Sequence, residues 1–69
     1  MSKYVLLVPD ISCNHCKMRI SNALSEIGEE KFEVDVAQKK VIIETENIEL
    51  VTSKLSEIEY PVKEIMKIS

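Results

Sequence analysis

Cys13 and Cys16 stand in the stretch PDISCNHCKMRI (9–20) with Asn14 and His15 between them, and the chain holds no further cysteine or histidine. Two thiols at this spacing can grip a soft cation as thiolates, exchange with a disulfide, or simply open a helix. A closed zinc site takes four ligands, whereas the soft or borderline donors here are two thiolates and at most His15, which argues against structural zinc. Among common soft ions, Cu(I) is the one best satisfied by two thiolates, and Hg(II) and Ag(I) behave alike.

The chemistry depends on what holds the loop. KYVLLV (3–8) is β-branched and aliphatic and stops at Pro9-Asp10, which predicts a buried strand and a turn directly before the cysteines. Cys16, Ile20, Ala23, Leu24 and Ile27 fall on one face of a helix over 15–27, with Gly28 as its left-handed stop. FEVDV (32–36) and KVIIET (40–45) read as a hairpin joined through Ala37, Gln38 and Lys39. Asn47 caps a second helix carrying Ile48, Val51, Leu55 and Ile58, and Tyr60-Pro61 breaks it ahead of a last strand over 62–69. In that strand Val62, Glu64, Met66 and Ile68 share one parity and Ile65 has the other, which suits an edge position or a bulge.

The order is βαββαβ. Right-handed crossovers put both helices on one face of a four-stranded antiparallel sheet, an α+β, ferredoxin-like arrangement, here expected as a single domain over 1–69. Cys13 then falls in the loop after the first strand and Cys16 in the first turn of the first helix, where unpaired N–H groups and the helix dipole favour thiolate.

The rest of the composition narrows the function class. With 69 residues and 45% of them hydrophobic, the chain supports one small packed core. The net charge is −3 and the basic residues are scattered, so no nucleic-acid partner is expected. No stretch approaches the ~18 apolar residues of a membrane helix, and the apolar run before Pro9 is too short for a signal peptide. The expected setting is cytoplasmic, where thiols stay reduced, with no membrane insertion and a monomer in the metal-free state.

On these residues the sequence resembles the heavy-metal-associated domain family, and within it the small bacterial copper chaperones. The family's Met-x-Cys-x-x-Cys loop appears as Ile11-Ser12-Cys13-Asn14-His15-Cys16. The resemblance implies that Cys13 and Cys16 hold the metal and that Tyr60, in the loop before the last strand, lies near them. It also implies carriage of Cu(I) to a copper-transporting P-type ATPase or a similar metal-binding domain, with no catalysed bond. Ile11 stands where the family has Met, a side chain that anchors the loop in the core, and an aliphatic of similar volume keeps that role. Asp10 and Lys17 also depart from the pattern, at positions that bear on loop mobility and partner.

Two other functions share the motif: a carrier of Zn(II) or Hg(II) on the same scaffold, and a small dithiol oxidoreductase. Against the latter, a thioredoxin fold needs about 100 residues and usually has Pro or Gly between its cysteines. The third coordination position is open to His15, a water, a cellular thiol or a cysteine of a second molecule, the last giving a metal-bridged dimer when metal is in excess. His15 otherwise reads as a polar loop residue. Met18 lies ~200° around the helix from Cys16 and is expected in solvent. Tyr60 reads as a lid on the helix end with its hydroxyl toward the metal. Lys17 and Arg19 form a basic collar around Met18, while Glu29, Glu30, Glu44, Glu46, Glu57 and Glu59 read as solvated surface.

Overall fold

The computed structural model describes residues 2–12 and 14–68. It contains β1 (Ser2–Leu7), α1 (Asn14–Glu26), β2 (Phe32–Asp35), β3 (Lys40–Thr45), α2 (Ile48–Glu57) and β4 (Glu64–Lys67), the βαββαβ order expected. The sheet runs β2-β3-β1-β4 with every pairing antiparallel, and both helices cover one face. Residues directly opposite in such a ladder share a face, so Leu6, Val41 and Val34 stack toward the helices while Val5 and Ile42 look the other way. Ile20 and Leu24 of α1 and Val51 and Leu55 of α2 complete the core.

Both helices end the same way, with different residues. At α1, the Gly28 N–H donates to Ser25 O at 3.1 Å and the Glu29 N–H to Leu24 O at 2.9 Å, with Gly28 left-handed at φ 84°. This is the Schellman closure that glycine makes without steric cost. At α2, the Glu59 N–H donates to Ser56 O at 3.1 Å and the Tyr60 N–H to Leu55 O at 2.8 Å, with Glu59 left-handed at φ 71°. A side chain there is strained, and the strain is accepted because the closure folds Tyr60 back onto the core beside Leu55. At the start of α2, the Asn47 side chain accepts from the Leu50 N–H at 3.2 Å, the cap its sequence position predicts.

Several boundaries differ from those read in the sequence, each for a local reason. Val36 leaves β2 and enters the four-residue turn that Lys39 closes at φ 56°. β4 spans Glu64–Lys67 rather than 62–69. Pro61 has no N–H to give, and pairing begins only when the Lys63 N–H reaches Leu7 O at 2.8 Å; Ser69 lies outside the described residues. The strand is at the sheet edge, and Ile65, on the helix face, stays 49% exposed because neither helix extends over it. Glu29 is not merely solvated. Its carboxylate accepts from the buried Thr45 hydroxyl at 2.6 Å, and that oxygen accepts from the Asn47 N–H at 3.1 Å, tying the end of α1 to the start of α2. Lys54 adds an ion pair to Glu26 at 3.0 Å between the helices.

The strained closure of α2 makes a direct prediction. Glu59→Gly removes a left-handed penalty of about 1 kcal/mol at some cost in unfolded-state entropy, so the domain should gain up to ~1 kcal/mol and a Tm a few degrees higher. Thermal unfolding followed by circular dichroism checks this, and a lower Tm would show that the Glu59 side chain contributes contacts outweighing the strain.

Candidate metal centre

The loop is built from its anchor outward. The Val8 N–H donates to Lys39 O at 2.9 Å and the Ile11 N–H to Val8 O at 3.2 Å, so Pro9 and Asp10 turn the chain sharply at the end of β1. Ile11 drops into the core with no exposed surface. An aliphatic side chain thus fixes the loop, as its volume suggests. Ser12 is exposed again, and α1 begins at Asn14.

Cys16, in the first turn of α1, is buried at 6% exposure and belongs to the core cluster. Its sulfur accepts a hydrogen bond from the Tyr60 hydroxyl at 3.1 Å. The Ser12 hydroxyl lies 3.8 Å from the same sulfur, and the thiol donates to the Asp10 carbonyl at 3.9 Å. Burial in an apolar setting disfavours the thiolate, whereas the helix N-terminus and the phenolic donor favour it. A cation taking the place of the thiol proton resolves this opposition, because it removes the net charge and leaves the phenolic donor in use.

Tyr60 is itself perturbed. Its hydrogen bond to Cys16 holds the phenol above the ordinary value of 10.0, burial and the charge of Cys16 push the same way, and the Arg19 guanidinium alongside pulls against them. The side chain lies beside the cysteine of α1 with its hydroxyl turned to that sulfur, as expected. It is buried, and its hydroxyl reaches the sulfur across 44 residues of sequence.

Of the other residues singled out in the sequence, Cys13 lies outside the described residues. His15 is exposed in the first turn of α1, one position from Cys16. Met18 is 63% exposed, as its helical angle requires, and Lys17 and Arg19 flank it in solvent. Arg19 also borders an open groove of about 450 Å³ between the helices, whose opposite wall carries Glu57 and Glu59. The sequence reading missed Ser12 and Asp10. Ser12 stands four residues before Cys16, a spacing that signals a local contact, but Asp10 acts through its carbonyl and its residue type gives no sign of it. Among the described residues no three His, Cys, Asp or Glu side chains cluster as a metal-holding group. No helix among them is long and apolar enough to cross a membrane.

The model of the heavy-metal-associated domain matches residues 5–61, from the second half of β1 past the end of α2. The heavy metal binding protein TM0320 from Thermotoga maritima, solved by NMR, is 59% identical and superposes with a TM-score of 0.92, covering 96% of this chain and 98% of its own. The N-terminal domain of ZntA in its Zn(II) form is 22% identical at a TM-score of 0.79, covering 90% of this chain and 89% of its own. Oxidized MerP from Ralstonia metallidurans CH34 is 20% identical at 0.76, covering 90% and 96%. These last two share the fold. No curated protein matches the chain.

The phenol gives a pH test of this geometry. Folded Tyr60 keeps its proton above 10.0, where the unfolded chain loses it, so its contribution to stability is whole below pH 10.0 and disappears as pH rises through the folded value. Phenolate absorbance of the wild type minus that of Tyr60→Phe should show a midpoint above 10.0, and Cys16→Ala should lower it. An unmoved midpoint in Cys16→Ala would mean that the hydrogen bond is not formed in solution.

Proposed function

The chain belongs to the heavy-metal-associated domain family, and from that premise we propose that it carries one Cu(I) between the thiolates of Cys13 and Cys16 and hands it to a cysteine pair on an acceptor protein. The observation that carries this reading is the setting of Cys16: a buried sulfur at a helix N-terminus, with a phenolic donor at 3.1 Å, three residues in sequence from the chain's other cysteine. The 59% identity to a Thermotoga maritima protein described as heavy metal binding supports metal carriage in general. Preference for Cu(I) follows from ligand count. Two thiolates satisfy a two-coordinate soft ion, whereas Zn(II) would have to recruit two more donors from outside the pair.

A low coordination number is also what lets the metal leave. An incoming thiolate adds to form a three-coordinate intermediate, after which one of the original thiolates departs, and no substrate bond is made or broken. The acceptor in this reading is a metal-transporting P-type ATPase or a similar metal-binding domain. The chain acts as a single domain, in a reducing compartment such as the cytoplasm where both thiols stay available. A dithiol oxidoreductase would use the same cysteines but would reduce disulfides in a standard insulin assay, which a carrier would not do catalytically.

Anaerobic competition titration against a chromophoric Cu(I) chelator tests the assignment. The reduced protein should take up about one Cu(I) per chain, and Cys13→Ser or Cys16→Ser should each weaken binding by orders of magnitude, since one thiolate cannot hold a two-coordinate ion. Tight uptake by the double Ser variant would overturn the reading. His15→Ala should change affinity by less than about tenfold, or ~1.4 kcal/mol, and a hundredfold loss would make the imidazole a ligand.

A further inference from the structure

Every residue of β4 is exposed, and three of the five large apolar side chains that stand in solvent among the described residues, Ile65, Met66 and Ile68, lie on it or at its end. The sheet order makes β4 one of the two edges. Charged residues commonly guard such an edge, yet here apolar side chains occupy both faces: Ile65 lies opposite Leu6 on the helix side, and Met66 opposite Val5 on the other. The backbone is oriented to receive a further strand. The Ile68 N–H donates to Lys3 O at 2.8 Å, and by the two-residue alternation of an antiparallel ladder Glu64 and Met66 also turn their backbone groups toward β1. Those of Ile65 and Lys67 therefore point out of the sheet.

From this we propose that β4 is an interface with a second copy of this chain, the two strands running antiparallel about a twofold axis at Met66 and joining two four-stranded sheets edge to edge. In this register Ile65 of each copy exchanges backbone hydrogen bonds in both directions with Lys67 of the other, on each side of the axis. Met66 meets its counterpart as a non-hydrogen-bonded pair, where side chains come closest. Centring the pair on Ile65 instead sets Lys63 against Lys67, and centring it on Lys67 sets that lysine on itself, so like charges disfavour both. On the face away from the helices, the row of Ile42, Val5 and Met66 continues into the same row of the second copy, an apolar stripe across the joined sheet. The other edge is guarded. β2 turns the backbone of Phe32 and Val34 outward, and self-pairing centred on Glu33 or Val34 sets Glu33 against Glu33 or Asp35. A β2-to-β4 contact would be head-to-tail and leave edges free, whereas the twofold closes. Glu64 lies beside Leu7, at the loop end of β1, so antiparallel β4 strands send the two Cys16 ends in opposite directions. The contact needs no metal and leaves both cysteine loops clear, in contrast to the metal-free monomer expected from the sequence.

One strand pair is a small interface of the weak, transient class, so half-dimerisation is expected at roughly 0.1–1 mM. Sedimentation equilibrium of the reduced chain with a metal chelator present, from about 0.02 to about 2 mM, should show a monomer–dimer equilibrium. On dilution over that range the amide signals of Ile65 and Lys67 should shift more than that of Met66, whose N–H faces β1. Met66→Glu and Met66→Lys should each weaken self-association by about tenfold or more, and mixed in equal amounts they should pair at least about tenfold more tightly than either alone, because at the axis a residue meets its own counterpart. Ile65→Glu should hold or tighten the dimer, since its carboxylate faces Lys67 of the second copy. Both positions are exposed, so circular dichroism of the variants should match the wild type. A wild type that stays monomeric at the highest concentration, a Met66 mixture no tighter than its components, or an Ile65→Glu chain that no longer pairs would each overturn the proposal.

Discussion

The hydroxyl of Tyr60 meeting the sulfur of Cys16 at 3.1 Å is the contact on which the rest of this end of the fold depends. It joins the start of one helix to the exit of the other, and both partners lie within the same hydrophobic cluster. It can form only if α2 stops at one residue and reverses at once. Leu55 and Ser56 accept the closing hydrogen bonds, Glu59 takes a left-handed conformation that its side chain resists, and Pro61 prevents the helix from resuming. The strain at Glu59 is the local cost of directing an aromatic ring inward at the level of the first turn of α1.

A second constraint acts from the other side of the loop. Ile11 is wholly buried, so the turn that follows β1 is pinned to the core at that residue. Cys16 shares the core cluster with Ile11 and Tyr60, its thiol donates to the Asp10 carbonyl at 3.9 Å, and its sulfur accepts from the Tyr60 hydroxyl at 3.1 Å.

Most of the scaffold was legible because its signals are local. Ile20, Ala23 and Leu24 fix α1 by period, Gly28 ends it, Asn47 caps α2, and the alternation of Phe32 and Val34 marks β2. The parts that were not legible depend on contacts distant in sequence or on backbone atoms. Nothing in a glutamate announces a left-handed turn, so the nearness of Tyr60 to the cysteines followed from the family resemblance, and the closure of α2 that brings its hydroxyl to the sulfur of Cys16 had no local sign. Glu29 looked like one more surface acid because its partner, Thr45, is 16 residues away and buried. The acidic wall beside the basic collar was invisible for the same reason: Glu57 and Glu59 reach Arg19 only once α2 has folded back along α1.

The position of Cys16 inside the core has an energetic consequence for a chain this small. At the usual 0.05–0.15 kcal/mol per residue, a domain of this length is stable by only roughly 3–10 kcal/mol. A ligand at a hundred times its dissociation constant adds about 2.7 kcal/mol to the folded state. Were the metal held by an exposed appendage, that gain would act on the loop alone. Here one of the proposed ligands is packed with Leu24, Leu55 and Tyr60 in a single cluster, so ordering the loop around a cation also restrains the junction of the two helices. The same junction sets Arg19 across the inter-helix groove from Glu57 and Glu59, so the charges at this end are placed by the packing around Cys16.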